Sequence, residues 1–200
     1  MVRIGLVASS ALIAVAPVYA QNAPMATHLR GAIVSRSGNV LTLKSRDGRL
    51  AAVTLADGWT ISSVGRASLA SIKPGDFVGI ASLPKGAGDR ALEVLIFPPA
   101  LKGTGEGSYG WDLKPHSSMT NASVSSLVKG VSGRTVTLSY GSGQQKTIAI
   151  PQNTPVVTIA PATPADLKPG AAVFLASTVI GGKLTTKHVV VGKDGVVPPM

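Results

Sequence analysis

The sequence predicts an all-β fold: two small OB-like five-stranded β-barrels in tandem, each with one short helical turn between strands 3 and 4. Three observations carry this. Apolar residues alternate with polar ones at period two in several short runs. Asp-Gly and Ser-Gly pairs sit between such runs, where a hairpin needs cheap positive φ. And most of the chain is written twice, with one offset of 95 residues serving both copies.

The repeat is legible pair by pair. Leu41-Thr42-Leu43 returns as Val136-Thr137-Leu138, Gly48 as Gly143, and Val53-x-Leu55 as Ile148-x-Ile150. Ile72-Lys73-Pro74-Gly75 returns as Leu167-Lys168-Pro169-Gly170, and Val94 as Val189. Ser37-Gly38 matches Ser132-Gly133 in the same ungapped register. The expected organisation is a signal peptide over 1–20, a first barrel unit over 28–99, a Gly-rich connector over 100–123 and a second barrel unit over 124–195.

The elements follow in order. Residues 1–20 carry one charge, Arg3, then an apolar run and the small-residue pattern Val18-x-Ala20, which predicts an exported chain cleaved after Ala20. In "NVLTLKS", Leu41 and Leu43 share one face while Val40, Thr42 and Lys44 share the other. "RTVTLSY" repeats this with Val136 and Leu138. "RDGR" and "GSGQ" are the hairpin turns, leading to strands over Leu50–Leu55 and Lys146–Ile150. The period then changes. "SLASIKPGD" spaces Leu69 and Ile72 by three behind the cap residue Ser68, and Pro74-Gly75 ends that turn. "TPADLKPGA" places Pro164 just after Thr163, the order a helix start favours. Two more strands close each unit, Asp76–Leu83 and Ala91–Phe97 in the first, Ala171–Val179 and Leu184–Val191 in the second. A closed barrel leaves such short strands no open edges. A unit of about 60 residues buries only about 60% of its surface, so the two units are expected to lean on each other.

Composition narrows the function. The chain has no cysteine, so it holds no disulfide, thiolate nucleophile or zinc ribbon. Loss of Arg3 with the leader leaves 18 Lys and Arg against 9 Asp and Glu. That field suits an anionic envelope polymer or an acidic periplasmic protein. Nucleic acid is not an expected partner, because the basic residues are scattered and not interleaved with aromatics. No segment after the leader is long and apolar enough for a spanning helix. Catalysis is poorly supplied: the only glutamates are Glu93 and Glu106, and most aspartates sit at turns or corners. No cofactor is expected. Gly105-x-Gly107-x-x-Gly110 imitates a dinucleotide fingerprint, but Pro98-Pro99 precedes it and Pro115 blocks the helix it needs. Ser82-x-x-Lys85 and Ser126-x-x-Lys129 fall in strand or loop context, without the helical turn that serine–lysine chemistry requires.

The stretch "GSYGWDLKPHSSMTNAS" differs from its surroundings. Tyr109, Trp111, Asp112, His116 and Asn121 are the candidate ligand or partner contacts, with the two rings either stacking on a sugar or clamping the barrels together. His116, Met119 and Asp112 form an alternative metal set of copper type.

Taken with "LASIKPGDFVGI", "ALEVLIFPP" and "DLKPGAAVF", that stretch resembles bacterial exported proteins carrying the unit termed domain of unknown function 5666. The resemblance implies a small β-barrel of unassigned activity and carries over no functional residue. The expected function is an exported, periplasmic, non-enzymatic binding or structural module. A metal-handling accessory protein is the alternative, and a hydrolase the third.

Overall fold

The computed structural model describes residues 26–198 apart from Ala87, so the expected leader and its cleavage point lie outside the described residues. Among the described residues no helix is long and apolar enough to cross a membrane. The chain is all-β. Its strands are β1 (Thr27–Ser37), β2 (Val40–Ser45), β3 (Leu50–Arg66), β4 (Phe77–Lys85), β5 (Gly88–Ile96), β6 (Gly107–Gly110), β7 (Ser118–Gly130), β8 (Gly133–Tyr140), β9 (Gln144–Pro151), β10 (Val156–Pro161), β11 (Ala172–Ile180) and β12 (Lys183–Gly192).

The turns form where the sequence placed them. Gly48 takes φ 84° in the β2–β3 turn, and Gly141 and Gly143 take φ 54° and 95° in the β8–β9 turn. The helical turns are single 3₁₀ turns. Ser68 accepts a hydrogen bond from the Ala70 amide ahead of Leu69–Ser71, and Thr163 and Asp166 cap each other around Pro164–Asp166.

The two halves do not each close a barrel. The ladders run β1–β2–β3 and β11–β12, joined by β1–β11 antiparallel and β3–β12 parallel pairing into one five-strand circuit. A second circuit joins β7–β8–β9 to β4–β5 through β4–β7 and a short parallel β5–β9 contact. Each circuit takes three strands from one half and two from the other. The expectation of one barrel over 28–99 and another over 124–195 is corrected accordingly: the halves are interleaved.

The apolar cores show the same exchange. One cluster packs Leu41, Leu43, Val53 and Leu55 from the first half against Leu167, Val173, Leu175 and Val189 from the second. The other packs Val136, Leu138, Ile148 and Ile150 against Ile72, Val78, Ile80 and Val94. Ile72 and Leu167, which follow the 3₁₀ turns, thus sit in the circuit formed with the other half's strands. Each fully buried Val, Leu or Ile contributes about 1.5–3 kcal/mol, so exchange moves whole cores and not just edges.

The offset of 95 persists in the ladders. Leu184 pairs with Val53 as Asp89 pairs with Ile148, and Val189 pairs with Ile61 as Val94 pairs with Val156. β3 and β10 pair antiparallel across the pseudo-twofold centre, with Val64 opposite its own equivalent, Ile159. β3 runs on where its copy divides into β9 and β10, because Pro151 and Pro155 cannot donate to a ladder and bracket a turn closed by the Thr154 amide on the Pro151 carbonyl. In β3 the corresponding Asp57-Gly58 forms a bulge, with Gly58 at φ 69°.

Two boundaries move. The match of Ser37-Gly38 to Ser132-Gly133 is not structural. Gly38 is a turn residue after β1, whereas Gly133 opens β8 opposite Gly130. Ile33 faces Leu43 across ten positions, while Val124 faces Leu138 across fourteen. The β7–β8 hairpin is therefore four residues longer, and the first strand repeats at 91. Ser118–Ser123, expected in the connector, belongs to β7 and pairs with β4.

Candidate functional site

A third apolar cluster lies between the two circuits. It joins Val64, Leu95, Val157, Phe174, Val190 and Val196, with Phe97 and Trp111 packed against it. β6 lies antiparallel on β7, Tyr109 opposite Met119, and delivers Trp111 to this junction. Trp111 touches rings from the first half and the second: His28 at 4.4 Å and Phe174 at 6.3 Å between ring centroids, with Tyr109 edge-on at 6.1 Å. The Arg30 guanidinium lies 5.2 Å from the Phe174 ring centroid and 5.9 Å from that of Trp111. Asp112 accepts a hydrogen bond from Arg30 at 2.7 Å and pairs with His28 Nδ1 at 3.1 Å. Partial burial raises the Asp112 pKa, but the hydrogen bonds from Arg30 and His28 outweigh it and leave the carboxyl below its ordinary value.

The five candidate contacts separate. Tyr109 and Trp111 stand together. Asn121 is buried, with Nδ2 donating to the Tyr109 hydroxyl at 3.1 Å and to the Thr104 carbonyl at 3.3 Å. Asp112 is turned to His28 and Arg30. His116 occupies an exposed turn with φ 62°. Of the metal set, Met119 is buried, His116 exposed, and Asp112 engaged as described. Among the described residues no group of three or more His, Cys, Asp or Glu is placed to hold a metal ion.

Met119, Asn121, Tyr109 and Trp111 share a cavity of about 70 Å³ with Gly79, Glu93, Leu95 and Phe97. Two polar atoms of its lining residues, Glu93 Oε1 and Trp111 Nε1, are buried without a hydrogen-bond partner. Burial pushes the Glu93 pKa from 4.5 up to about 7, against the pull of Arg30 and Arg46. The repeat explains this isolation. The equivalent of Glu93 is His188, whose ring nitrogens meet Thr60 Oγ1 at 2.7 Å and Ser62 Oγ at 2.9 Å. The residues equivalent to Thr60 and Ser62 are Pro155 and Val157, whose side chains have nothing to offer a carboxyl.

A second concavity lies on the circuit of β4, β5 and β7–β9. It is a groove of about 710 Å³ lined by Lys85, Asp89 and Arg90 from the β4–β5 hairpin, Gly130 and Ser132–Thr135 from the β7–β8 hairpin, and Ala149–Asn153. Lys129 lines an adjoining cleft that shares Arg134 and Gln152. Arg134 is held by its hydrogen bond to the Ile72 carbonyl at 3.1 Å. The groove's carboxylate, Asp89, is paired with Lys146 at 2.9 Å and accepts from Ser82 at 2.6 Å. Burial raises its pKa, but those bonds prevail and hold it below the ordinary range. Lys146 also donates to Ser118 at 2.8 Å, so this lysine and both serines are tied into one network that pins β4, β5, β7 and β9. Lys85 and Arg90 are left as exposed cations of the groove, with Lys129 exposed in the adjoining cleft. The sequence reading noted Glu93 only as a poorly placed acid, and missed this groove and the pairing of His28 and Arg30 with Asp112. Its one available signal was the extra length of the β7–β8 hairpin, which an ungapped comparison of the repeats hides.

Compared with protein-family models, with curated proteins and with solved structures, the chain shows no significant match.

Proposed function

We propose that this chain is an exported, non-enzymatic binding module for an anionic, sugar-containing polymer of the cell envelope, and that each circuit is an OB-like barrel completed by strands of the opposite half. One observation carries the reading: the open groove lies between the hairpins that correspond to the first–second and fourth–fifth strand loops of such a barrel, over its second and third strands. This is the face with which OB barrels bind oligosaccharides and oligonucleotides. Here it presents Lys85, Arg90 and Arg134, with Lys129 in the adjoining cleft, and its carboxylate is already neutralised by Lys146. Cations around an open channel attract a polyanion and hold it in a salt-dependent way. The expected field of the whole chain points the same way, since its formal net charge is +10.

Calorimetric titration with dextran sulfate and with neutral dextran tests this. The proposal expects binding of the sulfated polymer only, weakening at least about tenfold between about 50 mM and about 300 mM salt. The double variant Lys85→Ala/Arg90→Ala should weaken it by a similar factor. Equal affinity for the neutral polymer, or sulfated-polymer binding indifferent to salt and to both substitutions, would overturn it.

A further inference from the structure

The cavity beneath Tyr109 and Trp111 stands apart from the groove and has its own chemistry. Its walls are mostly apolar: Leu95, Phe97, Met119 and the two aromatic rings of β6 and its continuation, with the Asn121 amide already bonded to the Tyr109 hydroxyl and the Thr104 carbonyl. Its lining residues carry one unpartnered donor, the Trp111 indole N–H, and one unpartnered acceptor, Glu93 Oε1. Leaving either buried and unmet costs about 1–3 kcal/mol, so both favour an occupant that pairs with them. Tyr109 is 42% exposed, so the cavity meets solvent at that ring.

The occupant's chemistry follows. A cation is opposed by the indole N–H and by the nearby Arg30. An anion is opposed by the Glu93 carboxyl. A neutral group with one acceptor and one donor satisfies both orphans. Size narrows it further. About 150 Å³ accommodates benzene in an apolar cavity, so 70 Å³ takes a small planar group and not a sugar ring. The pseudo-symmetry indicates that this space is particular to one side of the junction. Gly79 occupies the position equivalent to Phe174, and a methyl group at Gly79 would come within 2.6 Å of Asn121 Oδ1 and 3.2 Å of the Phe97 ring.

We infer that this cavity is a slot for an acetamido group: its carbonyl accepts from Trp111 Nε1, its N–H donates to Glu93 Oε1, and its methyl packs among Leu95, Phe97 and Met119. Tyr109, half-exposed at the mouth, offers a ring face to whatever carries the acetamido group, which favours an N-acetylated sugar over an acetylated lysine. The slot does not depend on the groove or on charge.

The test follows the Trp111 indole N–H resonance by ¹H–¹⁵N spectroscopy of the full chain, with Trp59→Phe assigning the two indoles. The probes are methyl N-acetylglucosaminide, methyl glucosaminide, methyl glucoside and Nε-acetyllysine methylamide. The inference expects a saturable shift of the Trp111 indole proton with acetylated probes and none with the two unacetylated sugars. The tighter of the acetylated sugar and the acetylated lysine identifies the source. Trp111→Phe, followed by the Tyr109 ring signals, and Glu93→Leu, followed by the indole, should each weaken binding by about tenfold or more. Glu93→Leu removes an orphan rather than a partner, so it keeps the test decisive if Trp111→Phe loosens the junction. Equal shifts from acetylated and unacetylated sugars would overturn the inference, as would an indole proton bonded only to ordered water and unmoved by every probe.

Discussion

At the scale of single residues, the junction is set by which polar atoms the repeat satisfies. His188 and Glu93 are equivalents, yet only His188 has hydroxyls beside it. Glu93 is half-buried near Leu95 and Phe97 with its Oε1 fully buried, and this burial lifts its pKa from 4.5 to about 7. Its charged neighbours, Arg30 from β1 and Arg46 from the β2–β3 turn, reduce that rise without cancelling it. A carboxyl with a raised folded pKa binds its proton more tightly in the folded state. Its contribution is therefore fully present below pH 4.5 and is lost as pH rises to about 7. Denaturant midpoints of Glu93→Leu and the parent should converge toward pH 4.5 and separate in favour of Leu by pH 7. An unchanged difference across that window would contradict the assignment. Trp111 supplies the other residue-scale test. It is half-buried between strands of both halves, so Trp111→Ala should cost about 2 kcal/mol, short of the ~3–5 kcal/mol of a fully buried ring. Urea unfolding reads this directly.

At the scale of elements, glycines mark where the two copies stopped being interchangeable. Phe97 in the first half corresponds to Gly192 in the second. At Gly192 the chain turns so that Val196 packs back on the junction, and a methyl group there would run into the Val196 carbonyl. Gly192→Ala should therefore displace the 193–198 segment and cost about 1–3 kcal/mol. Faster amide exchange at Val196, whose N–H donates to the Lys193 carbonyl, would register it; unchanged protection there would contradict it. Much at this scale was legible beforehand. The alternation of Leu41 and Leu43, the Asp47-Gly48 turn and the Leu69–Ile72 spacing are local signals, and local signals fix local structure. The longer β7–β8 hairpin was not legible, because Ser132-Gly133 imitates Ser37-Gly38 by residue type while sitting elsewhere in the turn. β3 was read too short for a related reason: Asp57-Gly58 looks like a strand end, but a bulge absorbs it.

At the scale of the molecule, the strand inventory was legible and the pairing was not. Paired positions in the cores of the two circuits keep the same character: Val53 with Ile148, Val78 with Val173, Val94 with Val189. A strand face that fits its own half therefore fits the other half equally well, and sequence pattern cannot choose between them. The exchange has a physical benefit. A half of this size is marginal alone, and interleaving makes each core depend on both. Thermal unfolding should accordingly be one transition, with calorimetric and van't Hoff enthalpies equal, where independent barrels would give two.

The most direct test of the exchange uses the strap at 102–105, an exposed run of turns between the halves. A protease site inserted there and cut in the folded protein leaves two fragments with no covalent link. Because each circuit contains strands of both, the fragments should co-elute on size exclusion at the intact size and part only in denaturant. Two separately eluting, folded fragments of half size would contradict the interleaved fold.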